Sequence, residues 1–279
     1  MKRRELIQAI AAMSMSPMMM SCGEEEKLTV KRQLKSIGLQ LYTVRDQMAV
    51  DLPGTLQRLA EIGYSEVEFA GYFEHTPAEI RALLNNTGLL SPSAHTSLQL
   101  MRDTPEQLIE SALTVGHEYL VLGWLHPDDR TSLDDYRQHA DLVNVFAEQC
   151  HSAGLKFAWH NHDFEFQALD GMLPMDLLLA ETDPSRMQVE LDLYWITKAG
   201  ADPFAYFAKH PGRFPLCHVK DMADDGAMTD VGAGTIDFAA IFAASDLAGI
   251  QHYYVERDDA ADSLASATNS FSAISELEF

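Results

Sequence analysis

Short apolar runs and amphipathic stretches alternate along most of the chain. Runs of about four to eight apolar residues, many of them β-branched or aromatic, are typical of buried strands, whereas apolar residues three and four positions apart are typical of helices. The pattern predicts eight strands, over residues 37–42, 66–70, 90–95, 119–124, 155–161, 188–193, 214–219 and 252–256.

Amphipathic helices are predicted after each of these strands. They cover residues 52–62, 77–86, 105–115, 132–153, 174–181, 203–209, 238–245 and 263–277. Helical crossovers between successive strands require parallel pairing. Eight such units in roughly 245 residues are typical of a (β/α)8 TIM barrel.

The alternative fold is a doubly wound open sheet. Such a sheet usually carries a glycine-rich turn after its first strand, and here that turn reads Tyr42-Thr43-Val44-Arg45-Asp46. We therefore predict an α/β chain whose residues 35–279 form a single-domain TIM barrel.

The N-terminus has a different pattern. Lys2, Arg3 and Arg4 precede a mostly apolar run over residues 6–20, which ends at Ser21-Cys22. The run is too short for a membrane span but typical of a signal sequence. We expect residues 1–22 to be a lipoprotein-type signal peptide and residues 23–34 to be a tether. The protein would then be exported, as a periplasmic protein or one anchored to the membrane through Cys22; an ordinary unstructured N-terminus is the alternative.

Composition narrows the function classes. The 279 residues include 42 Asp and Glu against 20 Lys and Arg, a net charge of −22 with neutral histidines. That charge argues against a nucleic-acid partner, which binds concentrated basic residues. The three cysteines, Cys22, Cys150 and Cys217, match no zinc or redox motif.

Polar residues end most of the predicted strands. Because the carboxyl ends of the strands form the active face of a TIM barrel, these residues are expected to converge there. Burying them is costly unless they are paired or bind a metal. Carboxylates and imidazoles suit one divalent ion, Mn²⁺, Mg²⁺, Co²⁺ or Zn²⁺, and a buried network of ion pairs is the alternative. The candidates are Gln40, Tyr42, Glu68, His95, His160, His162, Glu165, Glu190, Asp192, His218, Lys220 and Glu256.

Six motifs together resemble the sugar phosphate isomerase/epimerase family. This family belongs to the xylose-isomerase-like TIM barrels, which also include inosose dehydratase and endonuclease IV. The resemblance covers about residues 35–278, and the histidine-rich end of the fifth strand is similar to the inosose dehydratase branch. The motifs are Ile37–Arg45, His160–Phe166, Glu190–Trp195, His218–Asp221, Val231–Phe238 and Val255–Asp258.

The resemblance implies a metal held by Glu, Asp, His and Glu at the ends of strands five to eight. Asp192, His218 and Glu256 match the last three positions, but His160 stands where the family has glutamate. Glu165 is the predicted replacement ligand, with His160 and His162 as the alternatives.

The resemblance also implies roles around the metal. Glu256 is expected to act as ligand and base, and His160 or His162 to transfer the second proton. Lys220 is expected to stabilise an oxyanion or orient a sugar hydroxyl, and a salt bridge with a neighbouring carboxylate is the alternative. Lys220 lies two residues beyond His218, so both side chains point to one side of the strand. The predicted substrate contacts are His95, Glu68, Tyr42 and Trp195.

Three functions are consistent with this sequence. The first is a divalent-metal-dependent isomerase or epimerase that abstracts a proton next to the carbonyl of a sugar or keto-sugar. The second is a metal-dependent lyase or dehydratase acting on a keto-sugar, a keto-glycoside or an inosose. The third is a non-catalytic sugar-binding lipoprotein. The expected partner is a neutral sugar or cyclitol, since no phosphate-binding motif is present; assembly into homo-oligomers is left open.

Overall fold

Eight parallel strands close into a barrel, as predicted. A computed structural model describes residues 31–279; the predicted signal peptide, Cys22 and most of the tether lie outside the described residues. The barrel strands are β1 (Gly38–Gln40), β2 (Glu66–Phe69), β3 (Leu90–Thr96), β4 (Tyr119–Leu122), β5 (Lys156–His160), β6 (Met187–Asp192), β7 (Leu216–Val219) and β10 (His252–Val255).

Each barrel strand pairs in parallel with its neighbours, and β1 closes the barrel against both β2 and β10. A small antiparallel hairpin, β8 (Asp221–Met222) and β9 (Met228–Thr229), follows β7. The single-domain (β/α)8 prediction is therefore confirmed.

Helices surround the barrel. They are α1 (Arg45–Ile62), α2 (Pro77–Thr87), α3 (Leu98–Asp103), α4 (Pro105–Val115), α5 (Leu133–Ser152), α6 (Pro174–Glu181), α7 (Leu193–Lys198), α8 (Pro203–Lys209), α9 (Phe238–Ala243), α10 (Ser245–Ala248) and α11 (Ser263–Glu276). Within residues 31–279, none of them combines the length and apolar character needed to cross a membrane.

Local sequence signals fix several of these helices. The helices α4, α6 and α8 begin with proline, whose missing N–H and fixed φ suit a first helical position. Reciprocal capping boxes start α2 at Thr76 and α5 at Ser132. The helix α1 is interrupted at Asp51, where φ is −151° and ψ is 82°, so its second segment begins at Leu52 as the pattern predicted.

Three helices were not predicted: the four-residue α10 and two helices that follow barrel strands. The helix α3 follows Ser97 and α7 follows Asp192, each directly after a barrel strand. Both have six residues, too few for helical spacing to be distinguished from the end of a strand.

Alternation along the strands sets the layers inside the barrel. A small apolar cluster, Tyr119, Val121, Ala158, Leu216 and Tyr254, fills the lower interior. Successive side chains on a strand point to opposite faces, so the residue two positions further on points inward again. The interior therefore changes from apolar to polar between Leu216 and His218, and likewise on β5 and β10, which places the polar layer at the carboxyl ends of the strands.

Candidate active site

Four side chains from neighbouring strands converge at the mouth of the barrel. They come from the ends of β5, β6 and β7 and from the residue after β10. Each offers one ligand atom, these atoms all lie within 4.8 Å of one another, and all four residues are buried. This ligand cluster consists of His160, Asp192, His218 and Glu256.

The tautomer of His160 shows what the cluster lacks. Its Nδ1 lies 3.0 Å from the carbonyl oxygen of Gly123, which can only accept a hydrogen bond, so Nδ1 carries the hydrogen. Burial and the neighbouring His218 lower the pKa of His160 and keep the ring neutral. Its Nε2 therefore carries a lone pair, and this atom lies 3.5 Å from Asp192 Oδ2.

Within residues 31–279, neither of these buried atoms forms a hydrogen bond; Asp192 Oδ2 has an ion pair with Lys220, and His160 Nε2 has no donor. Two acceptors facing each other out of contact with water are unfavourable unless a cation lies between them. The pair formed by His160 and Asp192 therefore fits a metal ion.

Each ring nitrogen of His218 faces a different carboxylate. Its Nε2 lies 2.8 Å from Glu68 Oε2, deeper in the barrel, and its Nδ1 lies 2.9 Å from Glu256 Oε2 at the mouth. A ligating histidine usually donates its other N–H to a carboxylate, which fixes the ring and raises its basicity. Donation from Nε2 to Glu68 leaves Nδ1 directed at the ligand cluster.

Two imidazoles and two carboxylates make up the cluster. That donor set suits Mn²⁺, Co²⁺ or Zn²⁺ better than Mg²⁺, which prefers oxygen ligands alone. The structure thus supports a divalent metal site without fixing the ion.

Lys220 balances the charge beside this cluster. Its Nζ lies 3.2 Å from Asp192 Oδ2, 2.6 Å from Glu256 Oε2 and 3.1 Å from Asp258 Oδ2. Burial opposes the charged form, but these carboxylates outweigh it and raise the pKa of Lys220. The lysine therefore remains a cation at the mouth, as its predicted role requires.

A second polar network lies directly beneath. Glu68 and Glu190 are fully buried, and both face His95 Nε2, at 3.1 and 2.7 Å. Gln40 also donates to Glu68, at 2.6 Å. Although burial alone would lower the pKa of His95, Glu68 and Glu190 raise it to about 10, so the ring is cationic. Glu68 was predicted to contact the substrate. It instead lies inside the barrel and does not line the cavity that opens above the ligand cluster.

His95 connects this network to solvent. Its side chain is 15% exposed and lines the cavity above the ligand cluster. A Cβ at Gly123 would lie 2.3 Å from His95 Nδ1, so only glycine allows the ring to approach this wall. The structure thus places His95 where it can contact a substrate.

Glu165 does not join the ligand cluster. The chain turns after β5 into a 3-10 helix over Phe164–Phe166, which directs the carboxylate back toward Trp159. Its oxygens accept from Trp159 Nε1 at 3.3 Å and from the His162 N–H at 2.8 Å. Burial raises the pKa of Glu165 to about 8, so the group is protonated at neutral pH. The strand-five donor in the cluster is His160, one of the two alternatives.

A cavity of about 860 Å³ opens above the ligand cluster. His160, Lys220 and Glu256 line its floor, although each is largely buried, and its wall carries aromatic rings. His162 belongs to the wall, where burial lowers its pKa to about 2 and its ring stacks on Phe164 at 5.1 Å. The aromatic side chains that line the cavity are Tyr42, Trp124, Phe164 and Trp195.

Sequence reasoning missed several residues of this cavity. Trp124 and Arg130 come from the segment between β4 and α5, and Asp258 comes from the loop after β10. Burial, followed by the adjacent Glu256, raises the pKa of Asp258 to about 7. Only the position of Trp124 at the end of a predicted strand could have indicated a role; Arg130 lies in a loop with no such signal.

The glycine-rich loop after the hairpin is not free to bind an anion. Gly232 N–H and Gly234 N–H both donate to Asp221 Oδ2, at 3.0 Å each, and Ile236 N–H donates to its other oxygen. These backbone donors are the ones that a phosphate would need. The loop is therefore a turn organised by Asp221.

Comparisons with known proteins agree with this geometry. No protein-family model matches the chain. The inosose dehydratase of Geobacillus kaustophilus (strain HTA426) is 24% identical over 242 residues, covering 69% of this chain and 78% of the relative.

Solved structures extend the similarity. A sugar phosphate isomerase/epimerase from Parabacteroides distasonis ATCC 8503 superposes with a TM-score of 0.73 at 25% identity, covering 85% of this chain and 92% of that one. The IOLI protein with a zinc atom has a TM-score of 0.68 at 13% identity, covering 85% and 96%.

The fold and the ligand cluster define a (β/α)8 TIM barrel with a candidate metal site at its mouth. The predicted resemblance is confirmed: the structural neighbours are sugar phosphate isomerase/epimerase proteins, and the curated relatives are inosose dehydratases. These similarities support an enzyme that acts on a sugar.

Proposed function

We propose that the protein is a divalent-metal-dependent enzyme that removes a proton next to the carbonyl of a sugar or keto-sugar. One observation carries this proposal: within residues 31–279, the buried lone pair of His160 Nε2 has no donor and faces Asp192 Oδ2, which is paired only with Lys220, beside a cavity that His160 lines. A metal at the ligand cluster supplies a Lewis acid that polarises the substrate oxygen.

Elimination is the outcome that this site favours. Epimerases of the resembled family use two glutamates on opposite faces of the sugar. Here His160 replaces one of them, and Glu165 does not line the cavity. Glu256 is the carboxylate of the ligand cluster that lines the cavity, and cationic donors lie separately from it, an asymmetric arrangement that suits the loss of water from a keto-sugar or inosose.

Isomerisation or epimerisation is the second candidate. The similarity to the Parabacteroides distasonis isomerase/epimerase supports it. Both outcomes share the first step, in which the bond to the acidic hydrogen breaks, the proton goes to the base, and the electron pair forms an enediolate.

The residues of the cavity divide this work. Glu256 takes the proton from the carbon next to the carbonyl, and Lys220 donates a hydrogen bond to the oxygen where negative charge develops. In elimination, the electron pair then forms the carbon–carbon double bond and expels the neighbouring hydroxyl. His95 supplies the proton with which that hydroxyl leaves as water. His162, predicted to transfer the second proton, instead contacts the sugar ring from the cavity wall. Tyr42 and Trp195 contact the ring from other parts of the wall.

Deuterated solvent tests the reaction. Mn²⁺-loaded protein would be incubated with an inosose and with a methyl 3-keto-glucopyranoside, and the products followed by mass and by ultraviolet absorbance. With wild type we expect the inosose to lose water and the methyl 3-keto-glucopyranoside to lose methanol, each giving a conjugated ketone. We expect a fall of about 100-fold or more in Glu256→Gln. A product that has lost no atoms of the substrate except one hydrogen, exchanged for deuterium, would favour isomerisation.

Two outcomes would contradict the proposal. Wild-type activity in Glu256→Gln would show that Glu256 is not the base. Transfer of the substrate's own deuterium to the adjacent carbon would show a hydride shift in place of proton abstraction. Binding of sugar without any turnover by the metal-loaded protein would support the third function, a sugar-binding lipoprotein.

We also propose that the protein is exported and anchored through Cys22. The basic residues, apolar run and Ser21-Cys22 junction of the sequence support this proposal. Cys22→Ser is expected to move the protein from the membrane fraction to the soluble fraction of its host. Mature protein that still begins with Met1 would rule out signal cleavage.

A further inference from the structure

An arginine that has no carboxylate partner within residues 31–279 lies on the cavity wall. The guanidinium carbon of Arg130 lies 3.5 Å above the ring centroid of Phe164, so the aromatic face holds it in place. Its Nε is buried and has no hydrogen-bond partner. Arg130 and Lys220 are the arginine and lysine side chains that line this cavity within the described residues, and Lys220 already contacts three carboxylates.

The surroundings leave the charge of Arg130 uncompensated. Within residues 31–279, the Arg130 guanidinium forms no ion pair, although the whole sequence has 42 acidic residues. Glu165 is close enough for the arginine to influence its pKa, but burial keeps that carboxyl protonated at neutral pH. A buried donor left unsatisfied costs about 1–3 kcal/mol, which a bound acceptor recovers.

Ring contacts locate Arg130 relative to the ligand cluster. The His160 and His162 rings lie 4.9 Å apart, and the His162 and Phe164 rings 5.1 Å apart. Arg130 lies beyond Phe164 in this series. A sugar ring at the ligand cluster would reach His162, so Arg130 contacts what the ring carries on its far side.

We propose that Arg130 and Phe164 form a specificity subsite for a second part of the substrate, which presents two coplanar acceptor oxygens. The planar guanidinium fork donates two parallel hydrogen bonds to such a pair, whether the pair belongs to a carboxylate or to neighbouring hydroxyls. This inference rests on the proposed sugar specificity, and it makes the preferred substrate a glycoside and not a free monosaccharide.

Binding of three probes to the Mn²⁺-loaded protein tests the subsite. Calorimetry would compare D-glucose, cellobiose and cellobiouronic acid, which offer one ring, a second ring with hydroxyls, and a second ring with a carboxylate. We expect wild type to prefer at least one disaccharide over glucose. Arg130→Met should weaken that preferred probe about 10- to 100-fold and leave glucose affinity unchanged.

Matched variants separate this role from a structural one. Arg130→Lys keeps the charge but loses the fork, so it should retain part of the affinity for a carboxylate and little of that for hydroxyls. Arg137→Met is the control, because Arg137 is an exposed residue of α5 paired with Asp134. Mn²⁺ content and melting temperature would show that each variant is folded. If Arg130→Met is not folded, Arg130→Lys provides the comparison with wild type.

Preference for cellobiouronic acid alone would assign the subsite to a carboxylate, and equal preference for cellobiose to hydroxyls. The inference is overturned if wild type prefers neither disaccharide, or if Arg130→Met binds all three probes as wild type does. Arg130-dependent binding without any proton abstraction would keep the subsite and contradict the proposed reaction; proton abstraction without Arg130-dependent binding would do the reverse.

Discussion

The barrel buries a carboxylate beside an imidazole at each of its two ends, and the two pairs differ in one respect. At the amino end, Glu66 Oε2 lies 2.9 Å from His252 Nδ1, and its other oxygen accepts from Ser36 at 2.9 Å. At the carboxyl end, His160 Nε2 and Asp192 Oδ2 face each other, and within residues 31–279 His160 Nε2 has no donor while Asp192 Oδ2 has only the Lys220 ammonium, 3.2 Å away. The first pair is complete in itself, and the second is not.

Position in the fold accounts for this difference. At the amino ends of the strands, Glu66 is satisfied by the protein itself, through His252 and Ser36. The carboxyl ends open into a cavity, where a ligand can supply the missing partner. The same residue types therefore stabilise the fold at one end and form a candidate site at the other.

Changing one member of each pair should produce the largest contrast. Asp192→Ala is expected to lower Mn²⁺ affinity by more than about 100-fold, because a ligand is lost, while Lys220 keeps Glu256 and Asp258 as partners and the barrel stays folded. Isothermal titration and elemental analysis of the loaded protein would measure this. His252→Gln, at the other end, should bind Mn²⁺ as wild type does; full metal occupancy in Asp192→Ala would refute the assignment.

A histidine at the amino end gives a test through pH. Burial lowers the pKa of His117 from 6.5 to about 4, and its Nδ1 lies 2.7 Å from the Ser91 carbonyl oxygen. The folded state thus disfavours the charged ring, and its contribution to stability, present above pH 6.5, is lost as the pH falls through 4. The contribution amounts to about 3 kcal/mol.

Chemical denaturation between pH 7.5 and pH 4 would measure this loss. His117→Gln should have a shallower decline than wild type over that range, whereas His151→Gln, which changes an exposed residue of α5, should decline as wild type does. Parallel curves for wild type and His117→Gln would show that His117 does not titrate as described.

The smallest expected effect concerns the carboxylates that orient the ligand His218. Glu190→Gln keeps the size of the side chain but removes the charge 3.2 Å from His218 Nε2. We expect a fall of about 10- to 100-fold in Mn²⁺ affinity, typical for a group that supports a metal ligand. Glu66→Gln, the matched change at the amino end, should leave the affinity unaltered, and an equal loss in both variants would show that global stability is responsible.

Local pattern was sufficient for the fold. Hydrophobic periodicity placed all eight strands and eight of the helices, and proline at the start of α4, α6 and α8 set their first residues. The same reasoning located Asp192, His218 and Glu256, because a residue that ends an inward-facing strand register must point to the mouth of a parallel barrel.

The sequence alone therefore determined the barrel, its polar mouth and three members of the ligand cluster, because each depends on spacing within one strand and helix unit. The tertiary structure alone decided the rest. It chose His160 over Glu165, since the turn after β5 directs Glu165 to Trp159. It also brought Glu68 and Glu190 to His218 from strands on different sides of the barrel, and placed Arg130 on Phe164. Those contacts join distant segments, and no local periodicity encodes the distance between two loops or the direction in which a side chain turns after its strand has ended.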